Sequence, residues 1–209
     1  MVYANAITLL QHKKLSDVMK TKLKEIASIQ MGYSFRTRLE SIGTGTIAVI
    51  QMKDLTVQNR VDCSGLIRIN IEKLKDQHLA KPGDIIFRSR GQATTSAILL
   101  DDPGKAVVAA PLIRIRVTED SVLPEYLNWF INQIPAQTFL ASYAAGTAQK
   151  MISKQALENL EVFIPSLARQ RTIIKLASLA EEEQSLITKI ADKRRQYIAL
   201  ALIKLAKGE

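Results

Sequence analysis

Apolar residues toward the end of the chain recur at helical spacing. From Ser166 onward, Ile173, Leu176, Ala180, Ile187, Ile190, Tyr197 and Ala201 follow one another at steps that fit the turns of an α-helix. The stretch holds no proline and one glycine, Gly208, and is rich in Ala, Leu, Lys, Glu, Arg and Gln, which favour helix. With Ser166 as N-cap, the pattern predicts one continuous helix of about 40 residues, about 60 Å long. That exceeds what a core of this size needs and points to a coiled coil or a packed helix pair.

Ahead of this helix the texture changes. Residues 1–165 carry all six prolines and eight of the nine glycines, so the chain turns often. Residues 3–20 read as an amphipathic helix, from Ile7, Leu10, Leu15, Val18 and Met19, and residues 23–29 begin a strand or helix that ends at Gly32. Strands are expected at 46–51 (TIAVIQ), 65–71, 84–88 (DIIFR, after the turn Lys81-Pro82-Gly83), 96–100, 105–117 (KAVVAAPLIRIRV) and 159–164. Asp101-Asp102-Pro103-Gly104 is a solvated turn, and 123–141 is helical with an interruption near Pro135.

Strands first and helices at the ends indicate an α+β domain rather than alternating βαβ units. The chain therefore divides into a strand-rich domain over 1–165 and a long helix over 166–209. The expected core comprises Ile47, Val49, Ile50, Ile85, Ile86, Phe87, Ile98, Leu99, Val107, Val108, Leu112, Ile113, Ile115, Leu127, Trp129, Phe130, Val162 and Phe163. Trp129, within YLNWFI, is read as core rather than as a stacking platform.

Composition narrows the function classes. Lys+Arg 29 against Asp+Glu 20 gives +9 at pH 7, a surplus that favours a polyanionic partner, nucleic acid first. One cysteine, Cys63, and two histidines, His12 and His78, argue against a disulfide framework and against a metal site, and fit a reduced, cytoplasmic setting. No apolar run approaches the roughly 18 residues of a membrane span.

No motif for catalysis is evident. Gly43-Thr44-Gly45 lacks the third glycine of a dinucleotide turn and precedes a strand. No lysine has an acid two residues before it, as a common metal-dependent nuclease would require. Cys63 beside Ser64, with no nearby histidine, reads as a bystander thiol. No catalytic residue, metal ligand or cofactor site is therefore expected in this chain.

Cations and hydrogen-bonding side chains concentrate in three loops. Residues 32–38 interleave Arg36 and Arg38 with Tyr33 and Phe35; residues 88–95 hold Arg88, Arg90, Gln92, Thr94 and Thr95; residues 146–154 set Gln149 beside Lys150 and Lys154. Arginine forks onto guanine or phosphate, and amides suit base edges. Strand alternation would put Arg88 and Arg90 on one face. The three loops form a DNA-binding surface only if the fold brings them together.

The order LKEIASIQMGYSF, IAVIQMKDL, LAKPGDIIFRSRG, EYLNWFIN and GTAQKMISKQALENLEVFIPSLARQRTI, followed by a long helix, resembles the specificity subunits of type I restriction–modification systems. It is similar to one target-recognition domain with the helix that follows it, over residues 20–209. The resemblance implies a non-catalytic subunit that binds double-stranded DNA and directs modification and restriction subunits to a target. S-adenosylmethionine would belong to a partner. It also implies DNA contacts by Tyr33, Arg36, Arg88, Arg90, Gln149 and Lys150. Where the family commonly shows Pro-Pro and Glu-Gln, this chain has Pro165-Ser166 and Arg169-Gln170-Arg171, which changes the local charge.

Such subunits usually carry two recognition domains held apart by antiparallel helices, and this sequence holds one. A heptad seam through Leu176, Ala180, Glu183, Ile187, Ile190, Arg194, Tyr197 and Ala201 offers a substitute for the second. Two copies crossing antiparallel between Ile187 and Ile190 would oppose Glu183 to Arg194 twice and form a homodimer that reads an inverted repeat. Leu179, Leu186, Ile198 and Leu202 lie beside the seam. Packing of the helix on its own domain or on a modification subunit is thus the alternative. The competing functions are a helix-mediated assembly protein and a minimal DNA-modifying enzyme.

Overall fold

A computed structural model describes residues 18–35, 44–72, 74–91, 94–144 and 151–208. The chain forms two compact units, Met1–Arg171 and Thr172–Glu209. In the first, the described strands make three sheets: β1 (Met19–Lys22), β2 (Ala27–Met31), β3 (Ile47–Ile50), β4 (Ile67–Ile69), β5 (Ile85–Arg88), β6 (Ser96–Ile98), β7 (Ala106–Val108), β8 (Leu112–Val117) and β9 (Glu161–Ile164). The helices are α1 (Leu23–Ile26), α2 (Pro124–Ile131), α3 (Ile134–Ala144), α4 (Lys154–Glu158) and α5 (Leu167–Lys207). The α+β class is as expected.

The central sheet runs β2-β8-β5-β6, antiparallel throughout, and a second sheet runs β4-β3-β7 with β3 and β7 parallel. The larger core cluster joins the two sheets, and a smaller one lies on the other face of β3. Ala48 and Ile50 of β3 join Ile86, Ala97, Leu99, Val108 and Leu112 in one apolar cluster, while Ile47 and Val49 join Ile69, Val107 and Ala109 in another. Both faces of β3 are covered, which is why its sequence is continuously apolar instead of alternating. Partly buried Phe35, Ile67, Ile71 and Leu74 close the second cluster from outside.

Side chains of α2 cover the edge strand β6. Asn132 just beyond its end accepts from Ser96 N through Oδ1 at 2.9 Å and donates from Nδ2 to Ser96 O at 2.9 Å. This amide satisfies the edge as a further strand would. Asn128 Oδ1 accepts from Ser96 Oγ at 2.8 Å. The helical break falls at Asn132 and Gln133, so Pro135 sits in the first turn of α3, where its missing N–H costs nothing.

Two secondary-structure expectations and two core assignments are corrected. The helix expected over 3–20 lies outside the described residues up to 17, and Met19 and Lys20 belong instead to β1, paired with β9 (Lys20 opposite Phe163). The pairing partner lies far along the chain and overrides local helical periodicity. Residues 105–117 form two strands, because the chain turns at Ala109, Ala110 and Pro111 and passes from one sheet to the other. Of the expected core, Trp129 is only half-buried, stacked against Tyr126, and Phe163 is exposed beneath the Lys20 ammonium; the rest is buried.

The helix α5 begins directly after Ser166 and runs 41 residues. Its first turn belongs to the first unit, where Gln170 is completely buried. Gln170 Oε1 accepts from Leu123 N at 2.9 Å, and Nε2 donates to Ser121 O and Pro165 O, both at 2.8 Å. Beyond residue 177 nearly every side chain of α5 is exposed.

Candidate nucleic-acid interface

The register of the central sheet brings the ends of three strands together. Met31 of β2 faces Ile113 and Arg88 of β5 faces Leu112, so β2 and β5 finish where β8 begins. The segments leaving β2 and β5 stay bonded to the turn that precedes β8. Gly32 N donates to Leu112 O at 2.8 Å, Tyr33 N to Val108 O at 2.7 Å, and Ala110 N to Tyr33 O at 2.9 Å. From the β5 side, Ser89 Oγ donates to Pro111 O. The third segment joins through a bridge between Arg90 and Met151, and Ile152 N donates to Ser89 O at 2.8 Å.

The segments leaving β2 and β5 thus meet at residues 109–112, and the third is bonded to the one leaving β5. Gly32 permits the approach: a β-carbon there would stand 2.6 Å from the Ala109 carbonyl carbon, which no side chain tolerates. Arg36, Arg38, Gln92, Gln149 and Lys150 lie outside the described residues.

The sequence candidates that are described occupy different environments. Tyr33 is half-buried, with its ring 4.9 Å from Phe35 and edge-on to His78 at 5.8 Å. β5 ends at Arg88, and Ser89 beyond it is buried between the half-buried Arg88 and the exposed Arg90. Arg88 Nη2 donates to Leu55 O, and to Met52 O at 3.3 Å. This one nitrogen bridges the two carbonyls across the turn of residues 52–54. Arg90 is exposed, with Nε 3.0 Å from Met151 Sδ. Lys154 opens α4, behind the N-cap Ser153, and is exposed with Glu158 at 3.4 Å.

Beneath this surface runs a polar chain that the sequence reading missed. Asp84, in the Lys81-Pro82-Gly83-Asp84 turn, accepts from Lys81 N at 2.8 Å and takes both arms of Arg116. Arg116 and Arg114 converge on Leu79 O, at 2.9 and 2.8 Å. Arg114 Nη2 then donates to Gln30 Oε1 at 2.6 Å, and Gln30 Nε2 meets His78 Nδ1 at 2.9 Å. Because Gln30 Oε1 accepts from arginine, its Nε2 is the donor, so Nδ1 of His78 carries the lone pair. The chain ends on the ring of Tyr33.

Hydrogen bonding to Asp84 raises the Arg116 pKa, whereas burial lowers that of Arg114, partly offset by Asp84. The signal for this network was the alternation in LIRIRV, which puts both arginines on one face of β8.

Elsewhere, burial first and then Asp101 and the neighbouring carboxylates push the Cys63 thiol up, which keeps it a weak nucleophile. Asp102 Oδ1 accepts from Gly104 N at 2.9 Å, as a turn residue does. Among the described residues no helix is long and apolar enough to cross a membrane.

The comparisons with known proteins fit this geometry. Residues 15–193 match the family described as type I restriction modification DNA specificity domain. No curated protein matches the sequence. Among solved structures, a chain from work on complex assembly and conformational transition of the type I R-M system superposes with a TM-score of 0.63 at 17% identity, covering 89% of this chain and 45% of that one.

The HsdS subunit from Thermoanaerobacter tengcongensis gives 0.56 at 16% identity, with 90% and 46% covered. The type I restriction-modification system S subunit from M. genitalium gives 0.56 at 12%, with 90% and 44% covered. These likenesses establish the fold, and the chain spans about half the length of each. On the match over most of its residues, this chain belongs to the type I restriction modification DNA specificity domain family.

Proposed function

We propose that this chain reads double-stranded DNA by sequence as the specificity component of a type I restriction–modification system, carries out no chemistry itself, and brings modification and restriction subunits to the target in the cytoplasm. The observation that carries this reading is the linkage of three cation-bearing segments, two bonded to residues 109–112 and the third to Ser89 and Arg90. Arg90 stands exposed there, with Arg36, Arg38, Gln92, Gln149 and Lys150 in the same segments by sequence. Side chains at base edges set sequence preference, and the lysines, with the surplus of +9, set affinity for phosphates. S-adenosylmethionine is bound by a modification subunit.

The second half of the reading is a homodimer. Ile187, Ile190 and Tyr197 are 52%, 67% and 74% exposed, and a shallow groove lined by Ile187, Ile190, Ala191, Arg194, Arg195 and Ile198 marks the same face. A second α5 crossing antiparallel at this point covers that face, opposing Ala180 to Tyr197 and Leu176 to Ala201. Two copies then present two identical recognition units.

Sedimentation of the purified chain, with sequencing of the DNA it retains from a randomised duplex pool, tests both halves. A dimer enriching a gapped inverted repeat is expected. A chain that enriches no sequence, alone or with modification subunits, overturns the reading. The exposed apolar face of α5 also supports a helix-mediated assembly protein, which predicts partner binding insensitive to DNA and to salt.

A further inference from the structure

Two methionines stand at the surface beside consecutive residues, Met151 against Arg90 and Met52 against Gly91. Met52 is 37% exposed and Met151 38% exposed. Met151 Sδ lies 3.0 Å from Arg90 Nε, and the Met52 methyl lies 3.8 Å from where a β-carbon on Gly91 would stand. Gly91 has φ 118°, a conformation that side chains rarely adopt, so position 91 itself places no side chain beside Met52.

Both methionines have fixed supports. Arg88 holds the carbonyls of Met52 and Leu55, and Asp54 Oδ2 accepts from Gln51 N at 2.7 Å to close the same turn. Met151 is fixed by its bridge to Arg90 and by the bond from Ile152 N to Ser89 O. The result is a polarizable apolar surface around a guanidinium on a rigid frame. Each methionine retains exposed area, and the ligand chemistry that matches thioethers beside a guanidinium is an apolar group next to paired acceptors.

Resting on the DNA-recognition reading above, we propose that Met52 and Met151 close on the C5-methyl of a thymine neighbouring the guanine whose O6 and N7 Arg90 takes. Thymine carries the one apolar group on the base edges of the major groove, and the guanine edge is the acceptor pair that fits an arginine fork. The thioether side chains adapt to the methyl without a shaped pocket.

The test uses the full chain and a duplex it selects from a randomised pool, with each dT in turn replaced by dU, which removes only the methyl. One position is expected to lose about fourfold in affinity, the worth of one buried methyl. In Met52→Ala and Met151→Ala that loss should shrink toward zero, while Arg90→Ala should relax the preference for the adjacent guanine. Selective binding that is indifferent to dU at every position overturns the proposal, as does a dU effect unchanged in both methionine variants. A chain that selects no duplex fails earlier and overturns the recognition reading with it; because the selection is scored separately, the two failures are distinguishable.

Discussion

Asp84 and Arg116 meet in a two-point ion pair, Nε to Oδ1 at 2.6 Å and Nη2 to Oδ2 at 2.7 Å, with the carboxylate 1% exposed. Arg114 Nε lies 4.0 Å from the same carboxylate, so one buried anion serves two guanidiniums. The pair sits where β5 begins, and through Arg114, Gln30 and His78 it connects to the Tyr33 ring, beside the turn that precedes β8. The frame of the candidate interface is therefore built partly from charge.

Removing the shared anion should be costly. Asp84→Ala leaves two largely buried cations unpaired and frees Lys81 N, so it is expected to lower stability by about 3–5 kcal/mol. Urea unfolding checks this, and a loss below about 1 kcal/mol would mean that water compensates the arginines.

Gln170 gives a second stability test. Its amide serves Leu123 N, Ser121 O and Pro165 O without exposure. Gln170→Ala should cost about 2–4 kcal/mol, since removing one partner strands buried groups. The near-isosteric Gln170→Glu should also destabilise, because a second oxygen would face two carbonyls. Thermal unfolding reads both, and an unchanged Tm for Gln170→Glu would contradict the assigned bonds.

Arg88 and Arg90 should separate. Arg90→Ala is expected to change stability by less than about 0.5 kcal/mol and to relax sequence preference by about 1–3 kcal/mol at one base pair. Arg88→Ala should instead loosen the turn of residues 52–54 and lower stability by about 1–2 kcal/mol. Binding measured across single-base variants, alongside urea midpoints, distinguishes them. Uniform weakening by Arg90→Ala would make it a phosphate contact.

Tyr126 predicts a pH dependence. Its hydroxyl donates to Phe163 O at 2.6 Å, and burial pushes its pKa from 10.0 up to about 12. A pKa raised on folding means that the hydroxyl's contribution is full below pH 10 and is lost as pH rises toward about 12. Tyr126→Phe should be less stable than the parent by about 1 kcal/mol at neutral pH, and the gap should narrow above pH 10. Urea midpoints measured between neutral and strongly alkaline pH check the sign; a gap that widens would refute it.

The proposed dimer makes a charge prediction. Glu183→Arg should abolish dimerisation in sedimentation by setting arginines opposite one another, and Glu183→Arg combined with Arg194→Glu should restore it. Indifference to both changes would exclude this register while leaving other helix pairings open.

The sequence by itself determined the features that depend on neighbours along the chain. The period of α5, the continuously apolar β3, the turn at Lys81-Pro82-Gly83 and the helical interruption near Pro135 are all read from neighbouring residues, and each stands in the structure. The order of motifs was enough to identify the family. Tertiary structure alone decided which distant groups meet. Lys20 lies in a strand because of Phe163, and residues 105–117 divide because the chain changes sheets at Pro111.

Arg88 and Arg90 were indistinguishable in sequence, two cations in one loop. Only the position of the Met52 and Leu55 carbonyls turns the first into a brace, while the second remains exposed. The same holds for the path from Asp84 to Tyr33, whose members are separated by tens of residues. A side chain's propensity and periodicity are local properties, but its partner is set by strand register and by how the sheets pack. No window of neighbouring residues carries that information.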